Sequence, residues 1–139
     1  MAVITKHVQV VSGGENDVID LTQDVQRCIN ETKLANGVAI LFVSGSTGAL
    51  TTMEYEPGLV KDFPEMLERV APKSHEYEHQ KAWHDNNGHS HVKASLVGPS
   101  LTIPFVDGKL ALGTWQQVVF VELDVRSRTR RIVLQIVGE

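Results

Sequence analysis

Val38-Ala39-Ile40-Leu41-Phe42-Val43 is a continuous apolar run with the length of a β-strand. Such a run predicts a strand that is covered on both faces. Ahead of it, residues 3–11 alternate between apolar and polar side chains, with Ile4, Val8 and Val10 on one parity. This two-residue period predicts a half-buried strand. The two segments together predict that a β-sheet lies at the centre of the fold.

A first helix is predicted between these two strands. It starts near Asp20 or Thr22, either of which is a suitable cap, and it ends at Asn36-Gly37. Its apolar face consists of Leu21, Val25, Cys28 and Ile29. Because Cys28 lies on that face, we interpret it as a packing residue rather than a nucleophile.

A second amphipathic helix is predicted after the strand at residues 49–53. Its apolar positions are Leu59, Phe63, Met66, Leu67 and Val70. Because Pro64 interrupts this pattern, the helix either begins near Asp62 with Pro64 in its first turn or is kinked at Pro64. Pro72 ends it.

The second half of the chain is predicted to be mainly β. Val92 and Leu96 predict one short helix, closed by Gly98-Pro99, and Asp107-Gly108 predicts a hairpin turn. Strands are predicted at residues 101–105, where Pro104 implies an edge or a bulge, and at 109–112, 116–123 and 131–137. We therefore predict one α+β domain over residues 1–139, with mostly antiparallel strands and two or three short helices.

The composition limits the classes of function. The chain has 139 residues with 13 Lys+Arg and 17 Asp+Glu, so its net charge is −4. An acidic chain lacks the excess of cations with which proteins bind nucleic acid. No apolar run approaches the roughly 20 residues that span a bilayer. We therefore expect no nucleic-acid partner and no membrane insertion. The single cysteine cannot form an internal disulfide, which favours a reducing, cytoplasmic location.

Residues 73–91 are the strongest candidate for a functional segment, because they hold five of the six histidines. Imidazole is the usual metal ligand in proteins and the usual proton carrier near neutral pH. His89 and His91 form a His-x-His pair, whose rings share one face on a strand but diverge by about 200° on a helix. A bound metal, proton transfer and an ordinary polar loop all remain open for this segment.

Four other features are candidates for ligand binding. The turn at residues 44–48 follows a strand and is either an anion site with hydroxyl and backbone donors or an ordinary turn. Glu54 lies beyond it and is a candidate base, metal ligand or orienting partner of an imidazole. The arginines at residues 126–131, which include Arg130, form either a phosphate clamp or a solvated hairpin. Trp115 either stacks on a ring-shaped ligand or fills the core or a subunit interface.

A specific pattern runs through Tyr77-Glu78-His79, Asn87 to Ser100 and Gly108 to Gln117, and extends to Ile103-Pro104, Arg130-Arg131 and Gly138-Glu139. In these stretches the chain resembles the YjbQ family, for which the usual name is secondary thiamine-phosphate synthase. The resemblance covers essentially the whole chain. It implies a compact α+β fold, built as a sandwich of antiparallel sheets, and assembly as a homotrimer.

The resemblance also bears on the site. His79, His91, Lys93 and Glu54 match the family's pattern, whereas Gly45 stands where the family has a histidine. The residues and the resemblance together give a candidate site. The catalytic candidates are His79, His91 and Glu54; the substrate-binding candidates are Ser46, Thr47, Asn87, Lys93, Trp115, Gln116 and Arg130; and the candidate ligands of a divalent metal, zinc or magnesium, are His79, His89 and His91.

The activity that the resemblance implies joins hydroxymethylpyrimidine diphosphate to thiazole phosphate and releases pyrophosphate. Two alternatives remain open: a histidine-rich trimer that binds a metal or a metabolite, and a metal-dependent hydrolase. In the trimer we expect Trp115 and residues 118–121 near the subunit contacts. The histidine segment of one subunit would then lie close to the next subunit, and the site would be composite.

Overall fold

The computed structural model describes residues 1–139 as eight strands and four helices. In chain order the elements are β1 (Ala2–Val11), β2 (Val18–Asp20), α1 (Thr22–Thr32), β3 (Gly37–Val43), β4 (Gly48–Met53), α2 (Pro57–Val70), α3 (Glu78–Trp83), α4 (Gly88–Val97), β5 (Ser100–Val106), β6 (Lys109–Leu110), β7 (Gln117–Glu122) and β8 (Thr129–Gly138). None of the helices combines the length and the apolarity that crossing a bilayer requires.

The strands form two sheets. The larger sheet has five strands in the order β1-β8-β3-β5-β6, and the smaller has three in the order β2-β7-β4. Every strand pair is antiparallel. The predicted α+β fold with antiparallel strands is therefore confirmed. The structure has four helices rather than two or three, because residues 78–83 of the histidine segment are also helical.

Two apolar layers hold the elements together. The first joins the inner face of the five-stranded sheet, α1 and one face of the three-stranded sheet, through residues that include Leu41, Ile132 and Phe120. The second joins the other face of the smaller sheet to α2 and α4, through residues that include Val119 and Leu67. The order of layers is therefore large sheet, small sheet and helices.

Burial on both faces is predicted for residues 38–43, but the structure shows it in β7 instead. In β3, Phe42 is 45% exposed, because no layer of the chain covers the outer face of the five-stranded sheet. Residues 118–121 are fully buried, because β7 is the central strand of the sheet that lies between the two apolar layers. The expectation that residues 118–121 lie at subunit contacts is therefore wrong.

The predicted start of α1 is confirmed, but its predicted end is not. Asp20 Oδ1 accepts hydrogen bonds from the backbone N–H of Thr22 (2.9 Å) and from its hydroxyl (2.7 Å). The helix ends before Lys33, which adopts a left-handed conformation with φ 64°. Gly37 belongs to β3, where an added Cβ would lie 2.1 Å from the carbonyl oxygen of Val137. The glycine at this position is therefore required by close packing of strands.

Helix α2 begins at Pro57, earlier than a start near Asp62 would predict. The carboxylate of Glu56 caps it by accepting from the backbone N–H groups of Gly58 and Leu59. Pro64 lies inside the helix and is buried. The cap and the burial of the helix against the small sheet outweigh the loss of one backbone hydrogen bond at the proline.

Candidate functional site

A polar pocket of about 390 Å³ lies where the β3–β4 loop, the start of α4 and the β7–β8 connection meet. We call it the histidine cleft. Its lining residues are Ser44, Gly45, Ser46, Thr47, Asp85, Asn87, His91, Asp124, Arg128 and Arg130. None of them is hydrophobic. Three separate segments of the chain therefore contribute to one concave polar surface.

Asp124 is the centre of the hydrogen-bond network in the cleft and is 1% exposed. It accepts from Thr47 Oγ1 (3.0 Å), from Asn87 Nδ2 (3.3 Å) and from Arg128 Nε and Nη2 (3.0 and 2.6 Å). Burial raises the pKa of Asp124, but the backbone N–H of Val125 and these three side chains lower it more, to about 2. Asp124 is therefore a permanent anion that fixes the loop, α4 and Arg128 relative to one another.

A second buried ion pair lies beside the first. Glu122 is fully buried and accepts from Arg130 Nε (2.9 Å) and Nη2 (2.5 Å), while Ser12 donates to it at 2.8 Å. Arg130 Nη2 also donates to Thr47 Oγ1 at 3.0 Å, so Thr47 links the two carboxylate–arginine pairs. These pairs are rigid, and the charge of each guanidinium is compensated.

The structure brings His79 and His91 together at the edge of the cleft. Their ring centroids are 4.4 Å apart. Burial lowers the pKa of His91, and the neighbouring His79 lowers it further, although Asp85 and Asp124 oppose this. His79 Nε2 lies 3.3 Å from Asp85 Oδ1 but forms no hydrogen bond with it. At neutral pH, His91 is therefore an uncharged imidazole that faces the cleft.

His89 and Lys93 lie on another side of α4, away from the cleft. His89 is fully buried, with its Nε2 2.5 Å from Glu15 Oε1. Lys93 is 1% exposed and donates to Glu68 Oε2 at 2.7 Å. The Lys93–Glu68 ion pair attaches α4 to α2, and the His89–Glu15 hydrogen bond attaches it to the β1–β2 connection. In the structure these two candidate residues therefore have packing partners rather than positions in the cleft.

The predicted metal ligands His79, His89 and His91 do not converge on one point. His89 and His91 are two residues apart on a helix, and their rings diverge. No group of three or more histidine, cysteine, aspartate or glutamate side chains has a geometry that would hold a metal ion. The divalent metal that the sequence suggests therefore does not fit these three residues as a set.

Three other candidate residues, Glu54, Trp115 and Gln116, lie in a different part of the fold from the histidine cleft. Glu54 and Trp115 line a separate pocket of about 510 Å³, which we call the tryptophan pocket. It lies beyond the opposite end of β4, a strand of six residues, and six residues of strand span roughly 20 Å. Gln116 accepts from Gly113 N–H (3.0 Å) and donates to Thr52 Oγ1 (3.1 Å), which stiffens the turn that carries Trp115. These three residues do not meet the histidine pair within one chain.

Comparison with known proteins places this fold in a family. The sequence model described as "UPF0047 protein YjbQ-like" matches residues 6–139. The chain belongs to the UPF0047 family. It is 38% identical over 119 residues to a UPF0047 protein of Archaeoglobus fulgidus, a match that covers 86% of this chain and 90% of that one. It is 35% identical over 139 residues to a UPF0047 protein of Methanothermobacter thermautotrophicus, which covers 100% of this chain and 95% of the relative.

Solved structures agree with the UPF0047 assignment. A YbjQ-like protein of unknown function from Sulfolobus solfataricus superposes with a TM-score of 0.93 at 30% identity, covering 99% of both chains. A hypothetical protein from Aeropyrum pernix gives a TM-score of 0.90 at 31% identity, covering 98% of this chain and 99% of the other. The resemblance to the YjbQ family is therefore confirmed.

Three residues that organise the site of this UPF0047 chain, Asp85, Glu122 and Asp124, are not among the candidates that the sequence suggests, whereas Arg128 belongs to the arginine cluster at residues 126–131. A signal for two of them exists. Glu122 and Asp124 interrupt the apolar run from Val118 to Val125, and a charged residue within such a run is buried only with a partner. Asp85 carries no such signal, since it lies in a segment that is polar throughout.

Proposed function

We propose that the chain is an enzyme that acts on a phosphorylated small molecule in the histidine cleft. The activity is the one that the YjbQ resemblance implies, thiamine-phosphate synthesis. One observation carries the proposal: the uncharged His91 faces a cleft in which Asp124 and Glu122 hold two guanidinium groups in fixed positions. Preorganised donors next to a site of bond cleavage stabilise the charge that develops there.

The reaction forms one bond and breaks one. The thiazole nitrogen attacks the methylene carbon of the pyrimidine, and the bond from that carbon to the diphosphate oxygen breaks. Pyrophosphate leaves with the electron pair, and the new ring nitrogen carries a positive charge. Arg128, Arg130 and the hydroxyl of Ser46 stabilise the leaving group by donating hydrogen bonds to it. Because the predicted histidine ligands do not converge, we assign no step to a protein-bound metal.

The other wall of the cleft orients the organic part of the substrate. Asn87 is 7% exposed, and its amide is oriented by donation to Asp124. Its Oδ1 is then a buried acceptor without a partner. A ring amine of the substrate supplies the donor that this atom lacks, and His91 pairs with the ring without adding charge.

The test is a direct assay of the purified chain. Hydroxymethylpyrimidine diphosphate and thiazole phosphate are mixed with Mg²⁺, and pyrophosphate and thiamine phosphate are both quantified. We expect stoichiometric formation of both products, and a loss of at least about 100-fold in the His91→Ala variant. His75→Ala is the matched control, because His75 is exposed and lies outside the cleft. Absence of both products with the folded wild-type chain would contradict the proposal.

We also propose that the chain forms the homotrimer that the resemblance implies. Since β7 is buried, the contacts fall on Trp115, which is 74% exposed, and on the end of the five-stranded sheet where Val3 is exposed, away from Val133. The tryptophan pocket of one copy would then complete the histidine cleft of another. Sedimentation equilibrium should give about three times the 15.3 kDa chain mass. A monomer at micromolar concentration would contradict this assembly.

The cytoplasmic location remains part of the proposal. Cys28 is the only cysteine and is buried as a free thiol. Burial raises the pKa of its thiol, so it is a packing residue rather than a reactive one. We expect Cys28 in the folded chain to resist thiol labelling. Rapid labelling of the native protein would argue against Cys28 as a packing residue.

A further inference from the structure

A second pocket, of about 420 Å³, shares Ser44, Arg128 and Arg130 with the histidine cleft. It opens at the end of the outer face of the five-stranded sheet, and we call it the outer pocket. Besides the two arginines, its polar lining consists of His7, Ser44, Thr129 and Arg131. Its volume lies in the range of about 300–1,000 Å³ that is typical of pockets for small molecules.

One arginine of the outer pocket, Arg131, has no carboxylate that compensates its charge. Arg128 and Arg130 are paired with Asp124 and Glu122, which lie behind them in buried positions. Arg131 forms no ion pair. No carboxylate lines the pocket. The pocket therefore has a net positive charge, whereas the histidine cleft also contains Asp85 and Asp124.

The side-chain hydrogen bond between Arg131 and His7 indicates which nitrogen of the His7 ring accepts. Arg131 Nη2 lies 3.3 Å from His7 Nδ1. A guanidinium has donors only, so Nδ1 must be the acceptor, and the ring proton lies on Nε2. His7 is therefore available as an N–H donor. The hydroxyls of Ser44 and Thr129 can also donate, so every polar side chain that lines the pocket carries a hydrogen-bond donor.

We propose that the outer pocket binds the phosphate group of a small phosphate ester, with Arg131 as its main ligand. A guanidinium fork matches two oxygens of a phosphate, and Nε2 of His7 and the two hydroxyls reach the remaining oxygens. The volume leaves room for the organic part of the ester. This inference rests on the charges and donors of the pocket and not on the activity proposed for the histidine cleft.

The experiment is a calorimetric titration of the full chain with glycerol 3-phosphate and, separately, with inorganic phosphate. We expect saturable binding of both, with tighter binding of the ester. Arg131→Gln should weaken both by about tenfold or more, as expected for the loss of one charge-assisted contact. His7→Gln should weaken both by less.

The matched control is Arg126→Gln. Arg126 lies in the same β7–β8 connection, is exposed, makes no ion pair and does not line the pocket. The Arg126→Gln variant removes the same charge as Arg131→Gln. Because Arg126 does not line the pocket, this variant should change the affinity by no more than about twofold. Equal losses in the Arg126 and Arg131 variants would overturn the proposal, since they would indicate general electrostatic attraction. Saturable binding of inorganic phosphate without the ester would overturn the assignment to an ester.

Discussion

The buried carboxylate of Asp124 gives the sharpest quantitative prediction. Its pKa is about 2 in the folded chain, against an ordinary value of 3.8. A folded pKa below the unfolded one means that the carboxylate stabilises the fold above the unfolded value, and that this stabilisation is lost as pH falls toward the folded value. A difference of almost two units corresponds to about 2.5 kcal/mol at neutral pH.

The Asp124→Asn variant removes this contribution. It also leaves Arg128 without its carboxylate, so we expect a total cost of about 3 kcal/mol near pH 6. The difference between wild type and variant should shrink by about 1 kcal/mol between pH 6 and pH 3, because the wild-type carboxylate is by then partly protonated in the unfolded chain. Urea unfolding at a series of pH values measures both quantities.

The control is Asp62→Asn, on the exposed surface of α2. This variant should keep the pH dependence of the wild type, because it retains Asp124 and the other carboxylates with lowered pKa values, such as Glu15 and Glu68. A difference between wild type and Asp124→Asn that stays constant from pH 6 to pH 3 would refute the reasoning. The reasoning would also be refuted if Asp62→Asn altered the pH dependence of the unfolding free energy as much as Asp124→Asn does.

Three further predictions follow from the site. His79→Ala and His91→Ala should each abolish turnover while changing the free energy of unfolding by no more than about 1 kcal/mol; unfolding of both variants would show a structural role instead. Gly45→His, which restores the histidine of the family pattern, should fold with a lowered unfolding midpoint, because an added Cβ would lie 3.0 Å from Arg130 Nη1 and the bonds of Arg130 to Glu122 limit how far it can move. Glu68→Ala should cost about 3 kcal/mol in urea unfolding, and Lys93→Met much less, because removing Glu68 leaves a buried ammonium unpaired, whereas removing Lys93 leaves a carboxylate that is 46% exposed; equal costs would contradict this.

The strands could be predicted from sequence because their side-chain period is a local property. The alternation in residues 3–11 predicts β1, and Asp107-Gly108 predicts the β5–β6 hairpin, whose two turn residues both have positive φ. Which apolar run is buried on both faces is not local. Residues 38–43 and 118–121 are similar in composition, and only the stacking of the layers makes β7, rather than β3, the doubly covered strand.

The candidate site could be predicted only in part for the same reason. His79 and His91 lie in a segment that is conspicuous in the sequence, and the fold brings them together. Glu54 matches the family pattern, yet β4 carries it away from the histidines. The carboxylates that organise the cleft come from the β7–β8 region, and no spacing rule connects that region to residues 44–47.

Helix α4 shows how the polar residues position the site. Its apolar residues Val92 and Leu96 are exposed, while His89 and Lys93 are buried, so the usual relation between polarity and burial is reversed. A buried histidine and a buried lysine must each meet a partner, and those partners, Glu15 and Glu68, lie on elements that pack beside the helix. The two pairs fix the rotation of α4 about its axis. Because His91 follows His89 by about 200° around a helix, the same rotation turns His91 toward the cleft. His89 and Lys93, which the sequence suggests as metal and substrate ligands, therefore hold in place the helix whose His91 lines the cleft.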